Sequence, residues 1–255
     1  MWSFRRQFIY ALAVLLTIAS VTVFFLRDTI FPPPTCFDKK ANGYESGVDC
    51  GGECSLICKG DVNPLSVVWT KAIPTSSTTY DLVALVSNTN INNAANEMGY
   101  TFSLYDTKGS LIGAITGSTT APLDGKFPII VQNIPLATPP SNVVVTLSEG
   151  PHYTVKENPT SPTLKILERR YEAGSISRIY ATLGNTKRLV INDLPVRVVL
   201  FDDKDNAYAV GQTIVPVLQK EEVKEISFTW NPPLLFPPTR IGIYPIFDPF
   251  KALGE

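Results

Sequence analysis

The feature that most constrains this chain is an uncharged, mostly apolar run at residues 8–26, close to the N-terminus. At about 1.5 Å of rise per residue, a helix of this length reaches roughly 30 Å, the thickness of a bilayer's hydrocarbon core. Lipid offers the backbone no hydrogen-bond partner, so a segment that crosses it must be helical. The run therefore predicts one transmembrane helix in contact with the lipid bilayer.

The charges that flank this run predict its orientation. Arg5 and Arg6 precede it, whereas Arg27 at its exit is followed at once by an aspartate. Because positive charge favours the cytoplasmic side, we expect residues 1–7 to be a cytoplasmic tail and residues 28–255 to be extracytoplasmic.

Two alternatives to a permanent anchor stay open, a cleaved signal peptide and a buried helix of a soluble protein. A signal peptide has an apolar region of about 7 to 15 residues, followed by a small-x-small cleavage site. This run is longer and ends in Phe24-Phe25-Leu26-Arg27, which lacks that pattern. The sequence therefore favours an uncleaved anchor in the cell membrane.

A proline-rich spacer at residues 27–35 leads to a cysteine-rich module at 36–58. The module holds all four cysteines of the chain, namely Cys36, Cys50, Cys54 and Cys58. An even number in a tight cluster on the outer side of a membrane predicts two disulfides, with three connectivities open. A zinc site is less favoured, because the spacing lacks the usual paired Cys-x2-Cys.

Oxygen-bearing side chains lie between these cysteines on a glycine-rich stretch: Asp38, Asn42, Glu45 and Asp49. Such a set suits Ca²⁺, which takes about 6 to 8 oxygen ligands. Residues 36–54 resemble a small disulfide-rich repeat of bacterial and other secreted proteins, although Lys39 stands where that repeat usually has glycine. The module is therefore either a purely structural staple or a calcium site, and no other cofactor is expected.

The rest of the chain reads as β-structure. Twenty-one prolines and many β-branched residues accompany few helical patterns, which favours an all-β exterior part and a mainly β fold class. The formal net charge is −1 and no basic stripe occurs, so we expect no nucleic-acid partner.

Two stretches of the exterior part are similar to each other. Residues 82–88 and 100–106 end in Asn88 and Asp106, and residues 179–185 and 196–202 end in an asparagine and an aspartate at nearly the same separation. Alternate positions are apolar in both, which indicates strands that bury one face. We expect six short strands per copy, at 65–72, 82–88, 100–106, 111–118, 127–132 and 142–148, and at 163–170, 179–185, 196–202, 207–215, 222–230 and 239–246.

The first copy, with its Thr101-Phe-Ser-Leu-Tyr-Asp106 segment, resembles bacterial FxLYD-type domains, which are immunoglobulin-like modules of envelope proteins. The resemblance is weaker in the second copy and implies no catalytic residues. It implies two tandem immunoglobulin-like β-sandwiches, at residues 63–150 and 163–250, joined by a linker at 151–162. The whole layout is similar to uncharacterised membrane-anchored envelope proteins of bacteria.

Residues for catalysis are scarce. The one histidine, His152, lies in the predicted linker without a recognisable nucleophile, and the cysteines are used in the module. The acidic residues Asp202, Asp203 and Asp205 suit a solvated turn better than acid–base chemistry. We therefore expect no enzymatic activity.

Aromatic residues offer candidate contact sites, namely Trp69, Trp230, Phe236 and Tyr244, with core packing as the alternative role. The sequence as a whole predicts a non-enzymatic, membrane-anchored surface protein that displays two β-sandwiches to other envelope proteins or to glycans. The alternative is an accessory subunit of an envelope secretion or pilus-type assembly, whose membrane helix would itself bind partner helices.

Overall fold

The structure is a computed structural model of the 255-residue chain. It describes residues 2–30, 33–90, 93–123, 125–148, 150, 152–154, 164–186 and 190–248. Two compact units can be distinguished, which divide between Cys54 and Ser55.

The first unit begins with one long helix, α1, at Trp2–Ile30. It extends beyond the predicted span of 8–26 at both ends, into the residues expected to form the tail and the spacer. Within the stretch Arg5–Arg27, a window of 18 residues has a mean hydropathy of 2.5, and none of these side chains is buried. The length and composition of the stretch therefore suffice to cross a membrane. The hydroxyls of Thr17 and Thr22 donate hydrogen bonds to the carbonyls of the residues four positions earlier. Neither of these two hydroxyls therefore exposes an unpaired proton on the helix surface.

The cysteine-rich module follows as a series of turns. Cys36 and Cys54 form a disulfide, and Cys50 and Cys58 are disulfide-bonded as well, so the two predicted disulfides are confirmed. One isolated antiparallel bridge joins Gly47 to Cys50. A single-turn 3₁₀ helix at Lys59–Asp61 precedes the β-structure.

The first group of strands forms two antiparallel sheets that pack face to face, here called the first sandwich. One sheet has the order β1-β2-β5, with β1 at Ser66–Pro74, β2 at Thr79–Asn88 and β5 at Gly125–Pro135. The other has the order β4-β3-β6, with β3 at Asn93–Tyr105, β4 at Leu111–Ala121 and β6 at Asn142–Ser148. A three-residue strand, β7 at His152–Thr154, also pairs with β3.

The remaining strands form the second sandwich with the same pairing order. One sheet is β12-β9-β8, with β8 at Leu164–Glu172, β9 at Ser177–Asn185 and β12 at Val223–Trp230. The other is β11-β10-β13, with β10 at Ile191–Phe201, β11 at Ala207–Leu218 and β13 at Arg240–Pro245. The predicted mainly β fold class is therefore confirmed.

The predicted linker at 151–162 needs correction at its start, because His152–Thr154 are the strand β7. The reason is the length of β3. Its second half pairs with β6, but its first residues, Asn93–Ala95, lie beyond the end of β6 and pair with β7 instead. The rest of the predicted linker lies outside the described residues.

Each sandwich buries the alternate apolar positions that the sequence indicated. In the first sandwich, Leu82, Ala84 and Val86 of β2 share a core with Phe102 and Leu104 of β3. In the second, Ile179, Ala181 and Leu183 of β9 share a core with Val198 and Leu200 of β10. All of these side chains are at most 1% exposed, so the period-two pattern was interpreted correctly.

A third core lies between the two sandwiches, which the sequence analysis did not predict. The outer face of the β1-β2-β5 sheet contributes Ile73, Val83 and Ile130. The outer face of β10 and β11 contributes Val199, Phe201, Ala207 and Val210, and Trp69 and Tyr244 pack against the same cluster. The central strands β2 and β10 are therefore buried on both faces, and the sandwiches belong to one compact unit.

Candidate binding cleft

A cleft of about 590 Å³ lies at the junction of the two sandwiches. One wall is formed by the end of β1 and by β5 in the first sandwich. The other is formed by the edge strands β11 and β12 and by the loop at 231–235 in the second sandwich. Pockets of this size at the junction of domains are a common location for ligand sites.

Two aromatic side chains of the cleft are fixed by hydrogen bonds. The indole nitrogen of Trp230 donates to the carbonyl of Val210 on β11, at 3.2 Å. The hydroxyl of Tyr208 donates to the carbonyl of Phe236 at 3.0 Å, and the two rings pack with centroids 4.4 Å apart. Burial raises the pKa of the Tyr208 hydroxyl to about 12, so this group stays neutral at physiological pH.

The polar groups of the cleft are mostly neutral. Among the described residues that line it, Asp81 is the one carboxylate, and its side chain is 5% exposed. Its oxygens already accept hydrogen bonds from the backbone N–H of Asn133 at 2.9 Å and from Gln132 Nε2 at 3.5 Å. The remaining polar lining consists of amide and hydroxyl side chains, those of Thr75, Gln132, Asn133, Gln212, Thr213, Ser227, Thr229 and Asn231.

The structure separates the four aromatic residues proposed as contacts. Trp230 lines the cleft, and Phe236 is 41% exposed beside Tyr208. Trp69 instead packs edge-to-face on Phe201 in the third core, with centroids 6.3 Å apart, and Tyr244 packs against the third core and that of the first sandwich. No sequence pattern indicated Tyr208 or the amide side chains of the cleft as site residues. They come from distant parts of the chain, and only the packing of the two sandwiches places them in one cleft.

A second cavity, of about 450 Å³, lies beside Arg197 of β10 at another part of the same junction. Within the described residues the guanidinium bonds to neutral groups, the carbonyl of Pro128 at 2.6 Å and the hydroxyl of Thr119 at 3.2 Å. Its Nε is buried without a partner, and desolvation lowers the pKa of Arg197. The contacts of Arg197 with β4 and β5 connect the two sandwiches.

The four oxygen-bearing residues of the cysteine-rich module make hydrogen bonds with the module itself. Asp49 accepts the Lys39 N–H with both oxygens, at 2.9 and 3.0 Å. Glu45 Oε2 accepts the N–H groups of Asn42 and Asp49. Asp38 accepts from the Lys40 N–H and from Asn42 Nδ2, the latter bond being the main cause of its lowered pKa.

The fourth, Asn42, is the exception within this set, because its Oδ1 is buried without a partner. The carboxylates of Asp38, Glu45 and Asp49 therefore stabilise turns within the module. The structural staple and the calcium site both stay predictions.

Two pairs of polar residues have the same contacts in both sandwiches. The side chains of Asn88 and Asn185 are 2% exposed, and each amide donates to a carbonyl 34 residues further along the chain, at 2.7 and 2.9 Å. Asp106 and Asp202 each accept backbone N–H groups from the residues two and four positions later. The hydrogen bonds of Asp202 with Asn206 and Lys204 lower the pKa of its carboxyl group. Asp202 therefore stabilises the turn at residues 202–206.

The comparisons with known proteins add no function. No family of known proteins matches the chain, and no curated protein is similar to it. Among solved structures, red sea bream transglutaminase is similar with a TM-score of 0.23 and 12% identity, over 72% of this chain and 29% of that chain. A score this low carries no argument about fold or activity, and the resemblances inferred from the sequence stay predictions.

Proposed function

We propose that this protein is a single-pass membrane protein of the cell envelope that displays two β-sandwiches on the outer side for contact with proteins or glycans. The observation that carries the proposal is the stretch Arg5–Arg27, a long apolar helix with none of its side chains buried in the protein. Such a surface is stable in lipid and costly in water, at roughly 25 cal/mol per Å².

The orientation rests on two further features. Arg5 and Arg6 favour a cytoplasmic N-terminus. The disulfide of Cys36 and Cys54 requires an oxidising compartment, which an exterior location provides. The helix then anchors the module and the sandwiches at the surface and raises their effective concentration toward neighbouring partners.

The two sandwiches are, in this proposal, copies of one immunoglobulin-like module. The common pairing order supports duplication, and so do the matching hydrogen bonds of Asn88 with Asn185 and of Asp106 with Asp202. A buried polar side chain needs a hydrogen-bond partner at a fixed place. Two such residues with acceptors at the same separation in both sandwiches therefore indicate that the surrounding backbones are similar.

A binding role without catalysis fits the polar groups of both sandwiches. Asp202 holds the turn at 202–206, and Asp205 forms an ion pair with Arg240. Among the described residues that line the cleft, Asp81 is the one carboxylate, and its oxygens accept hydrogen bonds from Gln132 and Asn133. General acid–base chemistry needs a group within reach of substrate, and these carboxylates are committed to the fold.

The proposal is tested by protease treatment of intact cells that express the full chain. We expect the chain to remain in the membrane after alkaline extraction, to keep its N-terminus, and to lose residues 28–255 to external protease. A mature N-terminus beyond residue 26, or protection from protease, would contradict it.

The accessory-subunit alternative is tested separately by partner capture. Replacing residues 8–26 by an unrelated membrane anchor should leave captured partners unchanged if the sandwiches make the contact. Loss of the partners with the native helix would show that the helix recognises them, and the display proposal would be wrong.

A further inference from the structure

The geometry points to the cleft at the junction of the sandwiches as a binding site for an uncharged oligosaccharide, with Trp230 as its aromatic platform. This inference rests on the proposed display function and names the ligand class of that surface. Three features of the cleft support it: few charged side chains, aromatic rings held by hydrogen bonds, and an edge of β11 at which one carbonyl is already occupied.

The scarcity of charged side chains in the cleft disfavours strongly charged ligands. Asp81 is the one carboxylate among the described lining residues, no lysine or arginine lines the cleft there, and both oxygens of Asp81 are occupied. An anionic ligand would lose hydration without gaining a counter-charge. A cationic ligand has little access to the one carboxylate, because Asp81 is 5% exposed and its oxygens accept hydrogen bonds from the protein. Sugar hydroxyls both donate and accept, as do the amides of Gln132 and Gln212 together, so a neutral polyol can exchange its water for these groups.

The aromatic rings favour a sugar because they are held in place before binding. The bond of Trp230 to Val210 and that of Tyr208 to Phe236 fix both rings, which reduces the entropy lost on binding. An aromatic face carries partial negative charge and attracts the weakly positive C–H groups that one side of a pyranose presents. Because Trp230 also packs against the core of the second sandwich, its orientation is set by the fold.

An extended peptide fits this cleft less well. A peptide would add as a strand to the free edge of β11 and bond to its outward carbonyls. The carbonyl of Val210, in the part of β11 that lines the cleft, already accepts the Trp230 indole N–H. A peptide strand would have to displace that bond, whereas a sugar placed against the ring would not.

The inference is tested with the full-length protein in lipid nanodiscs, which avoid sugar-based detergents. The uncharged probes are maltotetraose, cellotetraose and N-acetylated chitotetraose, with tetragalacturonate as the anionic match and an alternating Thr-Val peptide as the peptide match. Calorimetry should show saturable binding of at least one uncharged probe, and binding at least about tenfold weaker for the anionic and peptide probes.

A matched pair of variants assigns the binding to the cleft. Thr229 is exposed on the edge strand β12 and lines the cleft, whereas Thr116 is exposed on the edge strand β4 and does not. Thr229→Arg should weaken the uncharged probe at least about tenfold by placing charge and volume in the cleft, and Thr116→Arg should leave it unchanged. Equal melting temperatures of the two variants show that folding is retained.

Three results would overturn the inference: no binding of any uncharged probe up to about 10 mM, tighter binding of tetragalacturonate or the peptide, or equal binding by both threonine variants. None of these results bears on membrane insertion or orientation, which the protease experiment decides. Failure of the ligand assignment can therefore be distinguished from failure of the proposed function.

Discussion

At the scale of single residues, the polar positions were easier to find from the sequence than to interpret. Asn88 and Asn185 end similar segments and suggest loops, because asparagine tolerates turns. In the structure both are buried at strand ends and donate to distant carbonyls. The acceptor carbonyls lie 34 residues further along the chain and carry no side-chain signal. The sequence could therefore identify the matching asparagines but not their partners.

Tyr208 makes a prediction about alkaline stability. Its hydroxyl has a pKa of about 12 in the folded protein, against an ordinary 10.0. Because the folded pKa is raised, the stability that this group contributes is present below about pH 10 and is lost as the pH rises toward 12. Tyr208→Phe should therefore flatten the fall of the unfolding midpoint in urea between about pH 9 and about pH 11.5.

The same substitution also removes the hydrogen bond to Phe236, so a loss of about 0.5–1.5 kcal/mol is expected at neutral pH. Burial also raises the pKa of Tyr244, which leaves part of the alkaline decline in both proteins. A decline in Tyr208→Phe as steep as in the parent protein would show that Tyr208 ionises as it does in the unfolded chain.

At the scale of elements, alternation of apolar residues predicted the central strands β2, β3, β9 and β10, because one buried face imposes a period of two. The same rule concealed the third core. Leu82–Val86 and Val198–Phe201 are unbroken apolar runs, which is the pattern of strands buried on both faces. The sequence therefore indicated that both faces of these strands are buried. It could not indicate what covers the second face, because that is the other sandwich and no local pattern identifies it.

The turn that closes the cysteine-rich module depends on Gly52. Its φ is +57°, and an added Cβ would lie 1.7 Å from the backbone oxygen of Tyr44, a contact that only backbone movement relieves. Gly52→Ala should therefore disturb pairing of the cysteines and raise the fraction of molecules with free thiols after denaturation. The matched control is Gly60→Ala, because nothing lies within 4 Å of a Cβ at Gly60.

Gly60→Ala should remain fully oxidised. If Gly52→Ala were also fully oxidised, with an unchanged melting temperature, the close approach of Gly52 to Tyr44 would not be needed for the module.

Calcium should add no stability to this module. The oxygens of Asp38 and Asp49 accept hydrogen bonds within the module, and so does Oε2 of Glu45. Asn42 Oδ1 is the buried oxygen left without a partner in the described residues, which is far from the roughly six to eight ligands that Ca²⁺ takes. The melting temperature should be the same in millimolar Ca²⁺ and in chelator, and a rise that Asn42→Ala abolishes would establish a calcium site.

At the scale of the whole molecule, the sandwiches stack through unlike faces, the β1-β2-β5 sheet of one against the β11-β10-β13 sheet of the other. Because the two faces in contact are unlike, each sandwich keeps one outward sheet face to which a further sandwich could add. Such addition requires apolar residues on those outward faces. The outward face of β8-β9-β12 carries Arg170 above the ring of Tyr180, at 4.2 Å, and Arg178 beside Glu172. That of β4-β3-β6 carries hydroxyls such as Thr101 and Ser103. These polar and charged side chains make both outward faces less suited to a further apolar core than the faces that form the third core.

The third core predicts that the two sandwiches unfold together. Val83 is fully buried there, and Val83→Ala should cost about 2 kcal/mol from lost burial and the cavity left behind. Because Val83 packs against the second sandwich, hydrogen exchange should become faster in the segment Ile179–Leu183 of β9 as well as in β2. Mass spectrometry of peptides from the full chain measures both segments in one experiment.

Val144→Ala is the matched control, since Val144 is 44% exposed on β6 and its loss should change stability by less than about 0.5 kcal/mol. The reciprocal change Val199→Ala, on the other side of the same core, should speed exchange in β2 by the same reasoning. If Val83→Ala affected the first sandwich alone while β9 kept its protection, the third core would be a contact between independently folding sandwiches. The cleft, whose two walls belong to different sandwiches, would then open and close, and its fixed geometry as a ligand site would be lost.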